Sequence, residues 1–501
     1  MKICASIAED TVAKTLAAMN RAAWWADLLE IRLDYMDRPD LKALLAKPPR
    51  PCLVTNRPRS QGGRFEGAED ERLALLEQAM AFEPAMIDLE LTTGETALKE
   101  FAKKKGKTRL IISLHDFDRT PDPETLAELL ERMHRLEADV AKVVTRVQTP
   151  EEILRLKDLL IRAGEMSQPL AAFGIGSLGR LSRVLTPLWG SVISYCSVEK
   201  GKEAAPGQMT GAEMRRIFND PEDLHRIDQQ TKLYGVLGAP VGHSLSPVIH
   251  NAAFKHLGLN SFYVPVDVED AGAALECVRR FNFHGLSVTR PHKIAAMGLL
   301  DEIEASAKTL GAVNTIICQN SKYTGANTDW CGLLRALEEQ ISLDGRSVLV
   351  AGAGGAARAA VYGLVKARAR VTVTNRTEER GQGLAREFGT KFCPPRQLKS
   401  LSPDILINAT PLGMDPWQDK TPFSADLLAP EMVVMDLVYS PLETRLLREA
   451  RNMGCRTVNG LSMLLHQAAV QFEAWTGYAA PLEVMRAAAE NVLEKEDGNN
   501  Q

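Results

Sequence analysis

Cysteine is scarce and scattered in this 501-residue chain. The eight residues (Cys4, Cys52, Cys196, Cys277, Cys318, Cys331, Cys393, Cys455) form no CxxC pair and have no histidine cluster beside them. That spacing excludes a disulfide framework and a zinc site, so no metal is expected, and reduced thiols in a cytoplasmic setting are. Charge of one sign is lacking too. Lys and Arg number 60 against 64 for Asp and Glu, a formal net charge of −4. With no basic stripe, nucleic acid is not an expected partner, and an acidic substrate must be held by individual arginines. No apolar run approaches the roughly 18 residues of a membrane-spanning helix. The opening "MKICASIAED" enters a strand pattern at once, and no signal or transit peptide is expected. Internal repeats and low-complexity tracts are absent as well. At this length one core does not suffice, and two or three domains are expected.

What is present is alternation. Short apolar runs with strand character occur at 2–8, 27–34, 52–56, 86–91, 109–114, 140–145, 170–175 and 191–197. Helix-sized amphipathic intervals separate them, the signature of a (β/α)8 TIM barrel. Active sites of such barrels lie at the C-terminal strand ends, and polar residues fall there: Glu30, Arg32, Arg57, Glu90, His115 and Lys142, with Arg180 beyond the seventh strand. Lys142 sits inside the β-branched run "DVAKVVTRV", where a charge is costly. On local sequence alone, a snorkelling structural lysine and a functional one weigh evenly.

The polar stretch 217–232, "IFNDPEDLHRIDQQTK", reads as a linker. Two more αβ regions follow, with strands expected at 233–240, 261–268 and 283–289, then at 346–351, 370–377, 404–410 and 433–439. These read as alternating parallel strands and helices, the doubly wound pattern. "VLVAGAGGAARAA" places Gly352, Ala353, Gly354, Gly355 and Ala356 at a strand-to-helix turn, where glycine lets a pyrophosphate approach the helix N-terminus. The next strand ends in Asn375, Arg376 and Thr377, with no carboxylate for a ribose 2′-hydroxyl. Arg376 offers a guanidinium fork suited to a 2′-phosphate, so NADP is the expected cofactor.

Two family resemblances emerge from longer motifs. From about Leu233 onward, "GAPVGHSLSPVIHNAAF", "VTRPHK", "GAVNT", "GANTD", "GAGGAAR", "NRT", "NATPLGM" and "NGLSMLLHQAA" resemble shikimate dehydrogenase. Residues 1 to about 218 resemble type I 3-dehydroquinate dehydratase through "LEIRLD", "TNRP", "QGG", "IDLEL", "SLHDF", "AKVV", "GSLGRLSR" and "AAPGQMT". The resemblance implies an α/β chain with a TIM barrel over 1–218, a linker over 219–231, and a two-domain dehydrogenase-like module. In that module 232–338 binds substrate, completed by helices at about 466–495, and 339–465 is a Rossmann domain for NADP. It further implies two consecutive steps on small molecules: dehydration of 3-dehydroquinate, then NADPH-dependent reduction of 3-dehydroshikimate to shikimate. Monomer and homodimer both stay open.

The resemblance also implies residue roles. Lys142 would form a Schiff base with the substrate ketone, since desolvation favours a neutral amine. His115 would serve as general base and then acid. Glu30, Arg32 and Arg57 would orient the ring, Arg180 would clamp the carboxylate, and Gln208 lies on a closing loop. In the second half, Ser244 and Ser246 would bind the substrate carboxylate, with Thr289, Asn314, Tyr439 and Gln467 as further contacts. Lys293 and Asp329 would form the catalytic pair, the lysine protonating the ketone oxygen as hydride arrives. Four departures from the family patterns stand out: Gln61 for a glutamate, Ala204 for a loop serine, Ser287 for asparagine and Trp330 for glycine. Rival readings are a catalytically weak sensor of pathway intermediates and a quinate dehydrogenase using NAD. The retained catalytic residues weigh against the first, and Arg376 with the serine pair against the second.

Overall fold

The computed structural model describes residues 1–218, 227, 228 and 230–499, without the side chains of 495–499. Most of the expected linker, 219–226 and 229, lies outside the described residues. The fold divides into two compact units. One comprises residues 1–233, 237–247 and 260–282; the other comprises 234–236, 248–259 and 283–501.

The first unit holds eight barrel strands: β1 (Lys2–Ile7), β2 (Leu28–Arg32), β3 (Cys52–Thr55), β4 (Met86–Glu90), β5 (Arg109–Asp116), β6 (Val140–Arg146), β7 (Leu170–Ile175) and β8 (Ile193–Ser197). They pair in parallel in the order β7-β6-β5-β4-β3-β2-β1-β8. At the β7/β8 seam, the Val192 N–H donates to the Leu170 carbonyl at 2.9 Å, and the Ala172 N–H to Ser191 Oγ at 3.1 Å. The intervening helices carry their own start signals. Thr149 caps Pro150–Glu165, with Pro150 at the first position and Glu152 Oε2 accepting the Thr149 N–H at 3.0 Å. That helix buries Ile153, Leu156, Leu159 and Leu160, each worth roughly 1.5–3 kcal/mol of apolar burial.

Strand alternation sorts the barrel interior into layers. Cys4, Leu28, Leu53, Met86, Ile111, Val140 and Ile193 belong to one apolar cluster. Two residues further along the same strands come Ser6, Glu30, Thr55, Asp88, Ser113, Lys142 and Tyr195, all buried. A polar layer therefore sits directly on an apolar floor.

After β9 (Lys232–Gly238) and β10 (Ser261–Asp267), the second unit contributes β11 (Phe283–Val288), β12 (Glu302–Ile303), β13 (Thr315–Gln319) and β14 (Lys322–Ala326). Here the all-parallel expectation fails: β13 runs antiparallel to both β11 and β14. The β13/β14 pair is closed by a tight hairpin in which Asn320 and Ser321 take φ of 50° and 60°, the left-handed pair a type I′ turn requires. The last sheet comprises β15 (Ser347–Ala351), β16 (Arg370–Thr374), β17 (Lys391–Phe392), β18 (Ile405–Asn408), β19 (Val433–Asp436) and β20 (Arg456–Val458). Its order, β17-β16-β15-β18-β19-β20, is parallel throughout, and the strand order reverses between β15 and β18. Ligands bind at such switch points. Apolar clusters flank this sheet, one built on Val348, Val350 and Ile407, the other on Leu349, Leu406 and Val434. No helix among the described residues is long and apolar enough to cross a membrane.

Candidate active sites

Lys142 occupies the middle of β6 with its side chain 4% exposed. Its ammonium lies 3.0 Å from Asp88 Oδ2, 3.9 Å from Glu30 Oε1 and 4.1 Å from the centre of the Tyr195 ring. The surroundings are thus polar as well as buried, where the strand pattern alone pointed to an apolar setting. Asp88 accepts from Arg57 Nη2 at 2.8 Å and from Ser113 Oγ at 2.5 Å. Burial opposes ionisation of Asp88, but the Arg57 and Lys142 charges outweigh it and hold the carboxyl far below its usual range.

His115, near the end of β5, meets Arg57 Nη1 at 3.2 Å through Nδ1. A guanidinium can only donate, so the neutral ring carries its proton on Nε2. Burial, followed by the Arg57 and Lys142 charges, pulls the His115 pKa well below 6.5. Gln61 accepts the His115 backbone N–H at 3.2 Å rather than bonding the ring. Arg57 also pairs with Glu90 at 3.0 Å, and Glu90 with buried Arg72 at 2.7 Å. Arg32 is fixed by a bidentate pair with Asp34, at 2.8 and 2.7 Å. Glu30 accepts from Ser6 and Thr55 hydroxyls at 2.6 and 3.1 Å. Gln208 accepts the Ala204 N–H at 2.8 Å, closing its own loop.

Lys142, His115, Glu30, Arg32, Arg57 and Gln208 line one cavity of about 100 Å³. Arg180 does not. Its guanidinium is held outside the lining by Glu213 and Asp267, each at 2.9 Å. The cavity's helical arginine is Arg183, almost a turn further along Gly179–Leu188 and 1% exposed. The guanidinium stands 4.3 Å from the Phe173 ring centre, and among the described residues no carboxylate pairs with it. Burial, modified by Cys196 and Arg180, pushes its pKa down to about 10. A buried cation with no anion is costly, so this position is built to receive one. The "GSLGRLSR" motif contains both arginines, and helical phase separates them. Sequence reading also passed over Asp88, in the quoted "IDLEL", and Tyr195.

In the second unit, Lys293 Nζ donates to Asp329 Oδ2 at 2.7 Å. Asn314 Nδ2 donates to Asp329 Oδ1 at 2.7 Å and to Gln467 Oε1 at 3.0 Å. Gln471 lies beneath them, donating to Thr315 Oγ1 at 2.9 Å and accepting from Ser287 Oγ at 2.7 Å. The expected residues Lys293, Asp329, Asn314 and Gln467 thus share one network with Ser287. Trp330 takes no part in it. Its ring meets the Tyr362 ring edge-on at 5.5 Å, on the helix Gly355–Lys366. Ser244 Oγ accepts the Ser246 N–H at 3.2 Å, where the helix Ser246–His256 begins. The Thr289 carbonyl accepts the His292 N–H at 2.9 Å, and Tyr439 follows β19.

At the switch point, Gly352 has φ of 124°, and a Cβ there would stand 2.7 Å from the Ala409 carbonyl oxygen. Only glycine fits. A cleft of about 850 Å³ opens here, lined by Gly352, Ala353, Gly354, Asn375, Arg376, Thr377 and also Arg380. Gly355 and Ala356 form the first turn of the following helix. Arg376, in the turn before the helix Glu378–Glu387, and Arg380, in its first turn, have no carboxylate partner among the described residues. The pair fits a phosphomonoester beside a dinucleotide, and the glycine turn fits its pyrophosphate. No cluster of potential metal ligands occurs among the described residues.

Comparison with known proteins gives the class first. Residues 3–224 match the family type I 3-dehydroquinase, and 236–316 match the shikimate dehydrogenase substrate binding domain. Residues 335–412 match shikimate / quinate 5-dehydrogenase, and 460–490 the shikimate 5'-dehydrogenase C-terminal domain. The chain is 36% identical over 507 residues to the bifunctional 3-dehydroquinate dehydratase/shikimate dehydrogenase, chloroplastic, of Arabidopsis thaliana, covering 96% of this chain and 83% of that one. It is 44% identical over 275 residues to the NADP(+) shikimate dehydrogenase of Methanocaldococcus jannaschii, covering 52% and 97%. The shikimate dehydrogenase of Thermus thermophilus, solved in complex with NADP(H) and shikimate, aligns with TM-score 0.50 and 40% identity, covering 52% and 100%. The chain belongs to the bifunctional 3-dehydroquinate dehydratase/shikimate dehydrogenase family, a lyase and an NADP-dependent oxidoreductase in one polypeptide.

Proposed function

We propose that the barrel dehydrates 3-dehydroquinate through a Schiff base on Lys142 and that the Lys293 site reduces the product to shikimate. The observation that carries the first half is the closed polar layer around Lys142, with the unpaired Arg183 guanidinium on its wall. Lys142, once deprotonated, adds to the ketone, the carbinolamine loses its hydroxyl as water, and the resulting iminium drains electrons from the adjacent carbon. His115 removes the proton there and returns one to the departing hydroxyl, and water then hydrolyses the iminium, freeing the enone and the Lys142 amine. Arg183 takes the carboxylate in place of Arg180. Arg57 fixes the His115 tautomer, and Arg32, Glu30 and Gln208 hold ring hydroxyls.

In the second half, Lys293 protonates the forming alkoxide while Asp329, oriented by Asn314, holds the ammonium in place. Ser244 and Ser246 bind the carboxylate, with Thr289, Tyr439 and Gln467 as further contacts. NADPH supplies the hydride when bound; Gly352 to Ala356 carry its pyrophosphate, and Asn375, Arg376, Thr377 and Arg380 its 2′-phosphate. The domain limits follow the same reading: barrel 1–218, linker 219–231, substrate-binding 232–338 with about 466–495, and Rossmann 339–465. The eight unpaired cysteines support a cytoplasmic location.

The test is to supply 3-dehydroquinate and NADPH to the purified chain. Enone absorbance should rise transiently, NADPH should be consumed, and shikimate should accumulate. Enone accumulation with no NADPH loss would remove the second half of the reading.

A further inference from the structure

Three groups flank the Lys142 ammonium: Asp88 at 3.0 Å, Glu30 at 3.9 Å and the Tyr195 ring, its centre at 4.1 Å. The two carboxylates only accept hydrogen bonds when ionised. Tyr195 carries the one O–H among the three. The residue is 3% exposed and lines the cavity, held at the β7/β8 seam with its ring tilted against Phe173 at 5.6 Å. Its hydroxyl is fully buried and has no hydrogen-bond partner among the described residues. Leaving such a group unsatisfied costs about 1–3 kcal/mol. A phenol with nothing to donate to, beside the one nucleophile of the cavity, calls for a ligand oxygen. Burial, reinforced by Cys4 and Glu30, drives its pKa well above 10, so it stays a donor at neutral pH.

We propose that the Tyr195 hydroxyl donates a hydrogen bond to the substrate's ketone oxygen while Lys142 attacks, a further catalytic residue of the barrel. This rests on the Schiff-base reading above. The amine lone pair forms the C–N bond as the C=O π pair moves onto oxygen. That oxygen takes up the proton the nitrogen sheds, giving a neutral carbinolamine, and Tyr195 keeps its own proton throughout. The hydrogen bond strengthens as charge develops on the oxygen, so its effect falls on the addition step. Two other donors beside Asp88 are committed, Arg57 to Asp88, Glu90 and His115, and Ser113 to Asp88, while Arg183 is assigned to the carboxylate.

The test is Tyr195→Phe, which keeps the ring against Lys142 and removes only the hydroxyl. Adduct formation from 3-dehydroquinate is followed by rapid quenching into borohydride, beside steady-state dehydration and thermal melting. The rate of adduct formation and kcat/KM should fall together by roughly 10- to 100-fold. The melting temperature should hold or rise, since an orphaned buried hydroxyl is gone. Unchanged adduct formation would overturn the proposal, whether or not dehydration slowed, because the hydroxyl would then serve a later step or none. Absence of any adduct in the wild type would instead sink the Schiff-base reading itself.

Discussion

Replacing Arg183 with methionine should move stability and activity in opposite directions. The guanidinium is 1% exposed and has no anion, so burial weakens it as a cation to about pKa 10. Exchanging an unpaired buried charge for an apolar group of similar length removes that desolvation cost. Loss of its contact with the Phe173 ring, 4.3 Å away, returns about 0.5–2 kcal/mol. The net change should leave the barrel as stable as before or more so. Catalysis should lose a charge-assisted bond to the substrate carboxylate, about 1.5–3 kcal/mol, or roughly 10- to 150-fold in dehydration kcat/KM. Enone formation from 3-dehydroquinate gives the rate, and thermal melting gives the stability. Arg180→Met is the paired control: its charge faces Glu213 and Asp267, and dehydration should stay within about twofold of wild type. A destabilised Arg183→Met protein with full specific activity would refute the reasoning, as would an Arg180→Met protein with the larger catalytic loss.

Coenzyme choice should rest on two arginines: Arg376→Ala with Arg380→Ala should cost NADPH roughly 10- to 1000-fold in KM and leave NADH nearly unchanged. Efficient use of NADH by the wild type would contradict that assignment. Lys293→Ala should lower kcat for 3-dehydroshikimate reduction roughly 100-fold or more at unaltered NADPH affinity, measured by fluorescence titration. His115 governs a pH effect whose sign is fixed by its depressed pKa. Below about pH 6.5 the unfolded chain takes up a proton that folded His115 refuses, so stability falls with falling pH, by at most about 1.4 kcal/mol per unit. His115→Asn should flatten that part of a denaturation-against-pH curve, and an unchanged slope would count against the desolvated neutral imidazole.

The barrel was legible because its strands announce themselves. β-branched runs a helix-length apart gave all eight within a few residues of their observed limits, and Lys142 and His115 fell on them. The hairpin of β13 and β14 was missed, though Asn320-Ser321 between two β-rich runs carried the turn signal. Arg180 is expected from the motif and Arg183 is the one in the cavity, because a motif orders residues along the chain, whereas helical phase decides which of two neighbours enters the barrel. Asp88 and Tyr195 stayed hidden for a related reason. Their importance comes from meeting Lys142 across the barrel, a contact that no local spacing encodes. Arg380 stayed hidden because it enters the cleft from the first turn of the helix Glu378–Glu387, while Arg376 lies in the turn before it. Trp330 departs from the family pattern, and its ring packs on Tyr362.

The central claim is that Lys142 is a nucleophile and not a structural lysine that keeps its charge in an ion pair. Borohydride added with 3-dehydroquinate, followed by proteolysis and peptide mass mapping, tests it directly. One reduced adduct should be found, on Lys142 alone, and Lys142→Arg should show neither adduct nor dehydration, because a guanidinium keeps its proton. An adduct on any other lysine, or dehydration retained by folded Lys142→Arg, would contradict the account.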